Sequence, residues 1–144
     1  MMNSENSITR FSGEYEFLSN MYPCQVTYGG ATYPSVENAF QAAKVLDPDQ
    51  RRIFETLDPK QAKKLGKKVE LRIDWEKTKV VIMYDLLKSK FSDETLRSKL
   101  LETGDAELIE GNTWYDYFWG VCYGNGLNYL GKLLMQVRSE LKDS

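Results

Sequence analysis

The chain contains no histidine. That absence excludes Ser-His-Asp and Cys-His nucleophile pairs and removes the commonest metal ligand. Acid–base chemistry near neutral pH must therefore fall to carboxylates, lysine or tyrosine. Cysteine is almost as scarce. Cys24 and Cys122 are too few for a zinc knuckle and show no metal-ligand spacing. They read as thiols in or near a core, in a reducing compartment, with one disulfide as the alternative. No apolar run approaches the ~20 residues that span a bilayer, and Met1–Ser7 lacks a signal peptide's hydrophobic segment. No membrane partner is expected, and a cytoplasmic location is. A basic excess is missing as well: 19 Lys and Arg face 21 Asp and Glu, so bulk attraction to nucleic acid is not expected. Walker and dinucleotide fingerprints are absent too.

What is present is ordinary for a globular protein, with 42% hydrophobic and 28% charged residues in 144. That length suits one domain with a core that needs no staples. The expected fold is α+β: a helix-rich single domain with a small antiparallel β-hairpin sheet. Residues 1–9 are polar and expected to fray, leaving a flexible start over 1–10 and a domain over 11–144. Phe17-Leu18-Ser19-Asn20 reads as a loop. Cys24–Tyr28 and Ala31–Tyr33 flank Gly29-Gly30, a hairpin signal because both glycines accept positive φ.

Asp47-Pro48 and Asp58-Pro59 each set a cap before a helix-opening proline, predicting helices over 49–57 and 60–68. Lys60, Lys63, Lys64, Lys67 and Lys68 share one side of the second, a solvated face or a nucleic-acid contact. Asp74 is expected to cap a helix over 75–90 with Val80, Tyr84, Leu87 and Phe91 inside. Asp93 caps the next, through Leu96, Leu100 and Leu101 to a stop at Gly104. A short strand is expected near Leu108–Asn112. A last helix over 127–142 would bury Leu127, Leu130, Leu134, Val137 and Leu141.

Between strand-to-helix punctuation lies Tyr33-Pro34-Ser35-Val36-Glu37-Asn38-Ala39-Phe40-Gln41-Ala42-Ala43-Lys44. Ser35 is a good N-cap, and Pro34 holds Tyr33 extended. Val36, Ala39, Phe40 and Ala43 form an apolar face, while Glu37, Gln41 and Lys44 fall within roughly 40° to 60° of one another on a polar stripe beside Phe40. Glu37 sits in the first turn, where the helix dipole favours an ionised carboxylate. Lys44 lies about 10 Å further along the axis, too far for a direct ion pair but able to grip another part of one ligand. By spacing alone, the competing reading is that Glu37 decorates a helix start and Lys44 is a solvated charge, and spacing favours it.

Trp114-Tyr115-Asp116-Tyr117-Phe118-Trp119-Gly120 is the most aromatic stretch, and most of its rings are expected in the core. Asp116 among them is either a second functional carboxylate or a structural hydrogen-bond acceptor. Gly120, Gly124, Gly126 and Gly131 lead into the last helix, an approach whose backbone amides can cradle phosphate.

The combination of Gly13–Asn20, Tyr33–Glu37, Gln41–Lys44, Leu71–Glu76, Trp119-Gly120 and Asn128–Met135 resembles the NADAR family, the YbiA-like or riboflavin-biosynthesis-intermediate N-glycosidases. The similarity runs from about Phe11 to Leu141. It implies hydrolysis of the N-glycosidic bond between a phosphorylated ribose and an amino-pyrimidine riboflavin intermediate, or a guanine carrying ADP-ribose, without metal or other cofactor. The implied partners are a small ribosyl-phosphate or ADP-ribosyl substrate, with ADP-ribosylated DNA as a further one. Glu37, Trp75 and Asp116 match the family's catalytic positions. Ser19, Asn20, Lys44, Trp119, Gly120, Gly124 and Asn128 match ligand-lining motifs. Two residues depart from the pattern: Asn38 stands where the family often has histidine, and Met21 where an aromatic is common. The competing readings are a non-catalytic module for ADP-ribose or another nucleotide, and a docking domain that exposes Trp114, Tyr117 and Trp119 together.

Overall fold

In the computed structural model, which describes residues 6–144, the elements run in chain order as follows. They are β1 (Ser7–Ile8), a 3-10 helix (Gly13–Leu18), β2 (Val26–Tyr28), β3 (Ala31–Tyr33), α1 (Val36–Ala43), α2 (Pro48–Ile53) and α3 (Pro59–Gly66). Then come α4 (Trp75–Lys90), α5 (Glu94–Glu102), β4 (Glu107–Leu108), β5 (Gly111–Asn112), β6 (Val121–Cys122) and α6 (Tyr129–Lys142). Contacts group the chain into two units. Asn20–Ser92 forms a helical unit; the residues up to Ser19 join Asp93–Ser144 in a terminal unit.

In the helical unit, β2 and β3 form the expected antiparallel hairpin, with Val26 opposite Tyr33. Gly29 and Gly30 turn it at φ 59° and 82°, values that cost glycine little. The chain then enters α1, where Ser35 accepts from the Asn38 amide as an N-cap should. Val36, Ala39, Phe40 and Ala43 are all buried, and α1 packs on α3 and α4. Asp58 and Gln61 close a capping box on α3.

The helix α4 has the expected bounds but a different start, and of its expected inner residues Leu87 and Phe91 are buried. Asp74 makes no side-chain cap; its carboxylate instead takes Arg72 Nε at 2.7 Å and Nη2 at 3.1 Å. Ile82, Met83, Leu86, Leu87 and Lys90 are buried, whereas Val80 and Tyr84 are half-buried. Apolar residues lie on several sides of this helix, so packing against β2 and α1, not periodicity, selects the inward face.

In the terminal unit, strand pairing takes a form that local sequence does not show. Ser7 and Ile8, inside the stretch expected to be flexible, pair in parallel with Glu107 and Leu108, and Ile8 is buried. Residues 1–5 of that stretch lie outside the described residues. Gly111–Asn112 pairs in parallel with Val121–Cys122. Phe17-Leu18, expected in a loop, instead ends a 3-10 helix with both side chains buried. Helix α6 packs on α5 and β4 and buries Leu130, Leu134 and Val137. Leu127 precedes it and is 51% exposed, and Leu141 is only half-buried. Cys24 and Cys122 form no disulfide. Among the described residues no helix is long and apolar enough to cross a membrane.

Candidate functional site

The helical unit holds Asn20, Glu37, Lys44 and Trp75 of the expected set. The Glu37 amide donates to the Asn20 carbonyl at 2.9 Å, which ties the loop to the first turn of α1. The Glu37 side chain is half-buried, and one of its oxygens accepts from Gln41 Nε2 at 2.5 Å. One turn along the helix, the Phe40 ring packs on Trp75 with centroids 5.0 Å apart and planes tilted by 54°. Trp75 is 5% exposed, so its ring belongs to the core as well as to any binding surface.

Trp75 is placed by a backbone staple. Arg72 N–H donates to the Lys44 carbonyl at 2.8 Å, and Trp75 N–H donates to the Arg72 carbonyl at 3.1 Å. The end of α1 and the start of α4 are thereby locked together. Lys44 Nζ donates to the Gly66 carbonyl at 3.3 Å. Burial holds the Lys44 ammonium below the usual lysine range, and the charge of Glu37 opposes that shift.

Among the described residues, two buried amide oxygens of this unit have no hydrogen-bond partner, Asn20 Oδ1 and Gln41 Oε1. Leaving a buried acceptor bare costs about 1–3 kcal/mol. Gln41 was passed over as a functional residue by sequence reasoning. The available signal was its i, i+4 spacing from Glu37. Asn38, the departure from the family's histidine, is fully buried and donates to the Phe54 and Leu57 carbonyls at 2.9 and 2.7 Å. It fastens α1 to the chain between α2 and α3.

The terminal unit holds Ser19, Asp116, Trp119, Gly120, Gly124 and Asn128. Asp116 Oδ1 accepts from the amides of Phe118 and Trp119 at 3.1 and 2.9 Å, so this oxygen shapes the loop. The Asp116 amide and carbonyl are both bonded to the Asn112 side chain. Gly120 has no room for a side chain, because a β-carbon there would collide with Glu110 and Asn112. Trp119 is half-buried and meets Phe118 edge-on, with centroids 4.8 Å apart. Ser19 ends the 3-10 helix, its amide bonded to the Glu16 carbonyl.

Two expectations need correction here. The aromatic stretch is largely outside the core: Trp114 is 56% exposed, Tyr115 68% and Tyr117 45%. Tyr115 takes φ 66°, a left-handed geometry uncommon for a residue other than glycine. The approach to α6 does not offer the helix's first amides to phosphate. Those of Leu127, Asn128, Tyr129 and Leu130 already donate to the carbonyls of Tyr117, Gly120, Phe118 and Trp119. Both polar ends of the Asn128 side chain are also engaged, accepting from the Glu110 amide and donating to the Leu108 carbonyl, each at 3.0 Å. Asn128 holds strands together; a ligand would have to displace one of those bonds.

A cleft of about 780 Å³ in the terminal unit is lined by Glu14, Tyr15, Phe17, Lys99 and Glu102 among others, and contains none of the expected residues. Of the cations considered for nucleic acid, Lys60, Lys64, Lys67 and Lys68 are exposed. Nearby, Arg51 lies over the Tyr28 ring and donates to the Val45 carbonyl, and Arg52 pairs with Asp49.

Comparison with known proteins adds the following. A family profile described as "NADAR domain" matches residues 8–142. A riboflavin biosynthesis protein of Vibrio vulnificus is 39% identical over 132 residues, covering 88% of this chain but only 36% of that protein. A chloroplastic riboflavin biosynthesis protein of Zea mays is 39% identical, and the chain spans 20% of its length. The N-glycosidase YbiA of Escherichia coli is 37% identical, over 90% of this chain and 84% of that protein. The solved NMR structure of E. coli YbiA superposes with a TM-score of 0.83 at 34% identity, covering 96% of this chain and 86% of that one.

Proposed function

The chain belongs to the NADAR domain family, and from that premise we propose that it is a cofactor-independent N-glycosidase acting on a phosphorylated ribose joined to a nitrogenous base. The supporting observation is a half-buried carboxylate, Glu37, fixed at a helix start by a neighbouring amide and one turn from a Phe40–Trp75 aromatic pair. When the C1–N bond breaks, its electron pair stays with the base and positive charge develops on C1 and the ring oxygen. A fixed carboxylate beside C1 stabilises that charge more in the transition state than in the ground state. Water then bonds to C1 through its oxygen, its proton passes by way of the carboxylate, and the base departs protonated. Products are free base and ribose phosphate, with one water consumed.

In this reading Trp75 holds the leaving base, Lys44 meets phosphate and Asn20 reads a base or sugar edge. For Asp116, Ser19, Trp119, Gly120 and Gly124, in the terminal unit, a part in catalysis or substrate contact is supported by the family resemblance alone. The Vibrio and maize relatives are named riboflavin biosynthesis proteins, which supports a riboflavin intermediate as substrate, with an amino-pyrimidine as its base in this reading. The exposed lysines of α3 leave ADP-ribosylated guanine in DNA as the second candidate. A reducing cytoplasm suits two thiols left unbridged.

The test is to incubate the protein with each substrate type and identify released base by mass spectrometry. Glu37→Gln keeps the shape and removes the charge; release should fall about 10²- to 10³-fold. Release at the original rate by that variant would overturn the proposal, and tight binding without turnover by the unaltered protein would make it a nucleotide-binding module.

A further inference from the structure

Glu37 is held by Gln41, and Gln41 is held by what Gly66 lacks. A carboxylate can only accept, so the Gln41 amide must turn its NH2 toward Glu37 and its carbonyl oxygen the other way. That oxygen is buried without a hydrogen-bond partner and lies against the backbone of Gly66, where a β-carbon would collide with it and with Gln41 Cδ. Gly66 is the last residue of α3 and is helical rather than left-handed, so its backbone conformation does not call for glycine. Alanine would favour the helix by up to about 1 kcal/mol. Glycine there is explained by the room Gln41 needs. The same residue's carbonyl also receives Lys44 Nζ. The end of α3 thus seats both the amide that aims Glu37 and the lysine beyond it.

We propose that Gln41 is a positioning residue for Glu37 and that Gly66 is the seat that keeps Gln41 in place. Neither touches the reacting atoms. Gln41 donates to Glu37 and fixes its rotamer, and Gly66 leaves the gap into which the Gln41 carbonyl fits. This inference rests on the glycosidase reading for its kinetic part, while its structural part stands without it.

The variants are Gln41→Met, which keeps volume and loses the donor, and Gly66→Ala, which leaves Gln41 chemically intact and pushes it. Both should lower kcat about 10- to 100-fold with KM changed less than about twofold, the pattern of a misaimed group. In Gln41→Met the acid limb of the rate profile should move to higher pH, because a lost donor disfavours the ionised form. Gly66→Ala sets its helix-propensity gain against the cost of displacing Gln41, so its melting temperature should stay close to the original while activity falls. The Glu37 side-chain carboxyl carbon is followed by NMR titration in the same proteins; its midpoint should rise in both. Original kcat together with an unmoved Glu37 titration in Gln41→Met would overturn the inference. Should the unaltered protein release base from neither substrate, the glycosidase reading fails alone, and the titration still decides the Gln41–Glu37 link.

Discussion

The two units support their candidate acids by different means. In the helical unit, Glu37 stands on a regular helix and is aimed by a side chain four residues on. In the terminal unit, Asp116 stands in a loop and uses one carboxylate oxygen to build that loop. A helix needs no help from its polar side chains once capped, because its backbone bonds are internal. A loop must recruit Asn and Asp side chains to satisfy its backbone, as Asn112, Asp116 and Asn128 do here. The first kind of site holds its carboxylate by a side chain of the same helix; the second makes stability and function compete for the same atoms.

That contrast can be broken most sharply at the tryptophans. Trp75→Ala, in the helical unit, should destabilise the protein by about 3–5 kcal/mol, as deletion of a buried aromatic does. Trp119→Ala, half-buried in a loop, should cost only about 1–2 kcal/mol. Urea denaturation of both variants checks the pair, and equal costs would erase the distinction.

A smaller effect comes from Lys90, which is fully buried with its ammonium 5.7 Å from the centre of the Tyr22 ring and 5.2 Å from that of Phe91. Burial pushes its pKa down to about 8, with Cys24 acting in the opposite direction. The unfolded chain therefore holds this proton at pH values where the folded one has released it, and stability rises from about pH 8 toward the ordinary lysine value. Lys90→Met should abolish that rise, a difference of about 3 kcal/mol across the window. Denaturation midpoints between pH 7 and 10 measure it.

The smallest effect concerns Asp74, whose carboxyl the Arg72 guanidinium holds below the usual range. A depressed carboxylate contributes stability above its unfolded pKa, and that contribution is lost as pH falls through the folded value. Arg72→Met should move the acid-unfolding midpoint slightly upward, read by circular dichroism. A shift larger than that of Lys90→Met would mean that the helical unit depends on its surface pair more than on its core.

How far the sequence could be read follows the same division. Ser35, Asp58 and Asp93 cap their helices, and Gly29-Gly30 turns the hairpin, because those signals act within four residues. The parallel pairs Ser7–Ile8 with Glu107–Leu108, and Gly111–Asn112 with Val121–Cys122, join short segments separated along the chain, and no local pattern announces them. Trp114 and Tyr117 were expected inside because they are aromatic, yet the loop's backbone turns place them outside. The stripe of Glu37, Gln41 and Lys44 was legible from helical spacing; that Gln41 does the aiming was not, since it depends on Gly66 from another helix.

Local chemistry alone thus determined the caps, the hairpin turn, the buried face of α1 and the placing of a carboxylate in its first turn, for each is settled by neighbours a few bonds away. Only the tertiary structure decided which face of α4 turns inward, which polar atoms of the terminal loop are already engaged, and that a glycine at the end of α3 makes room for the amide that steadies Glu37. Those are questions of shape between distant segments, and no interval along a chain encodes a gap left by a missing side chain.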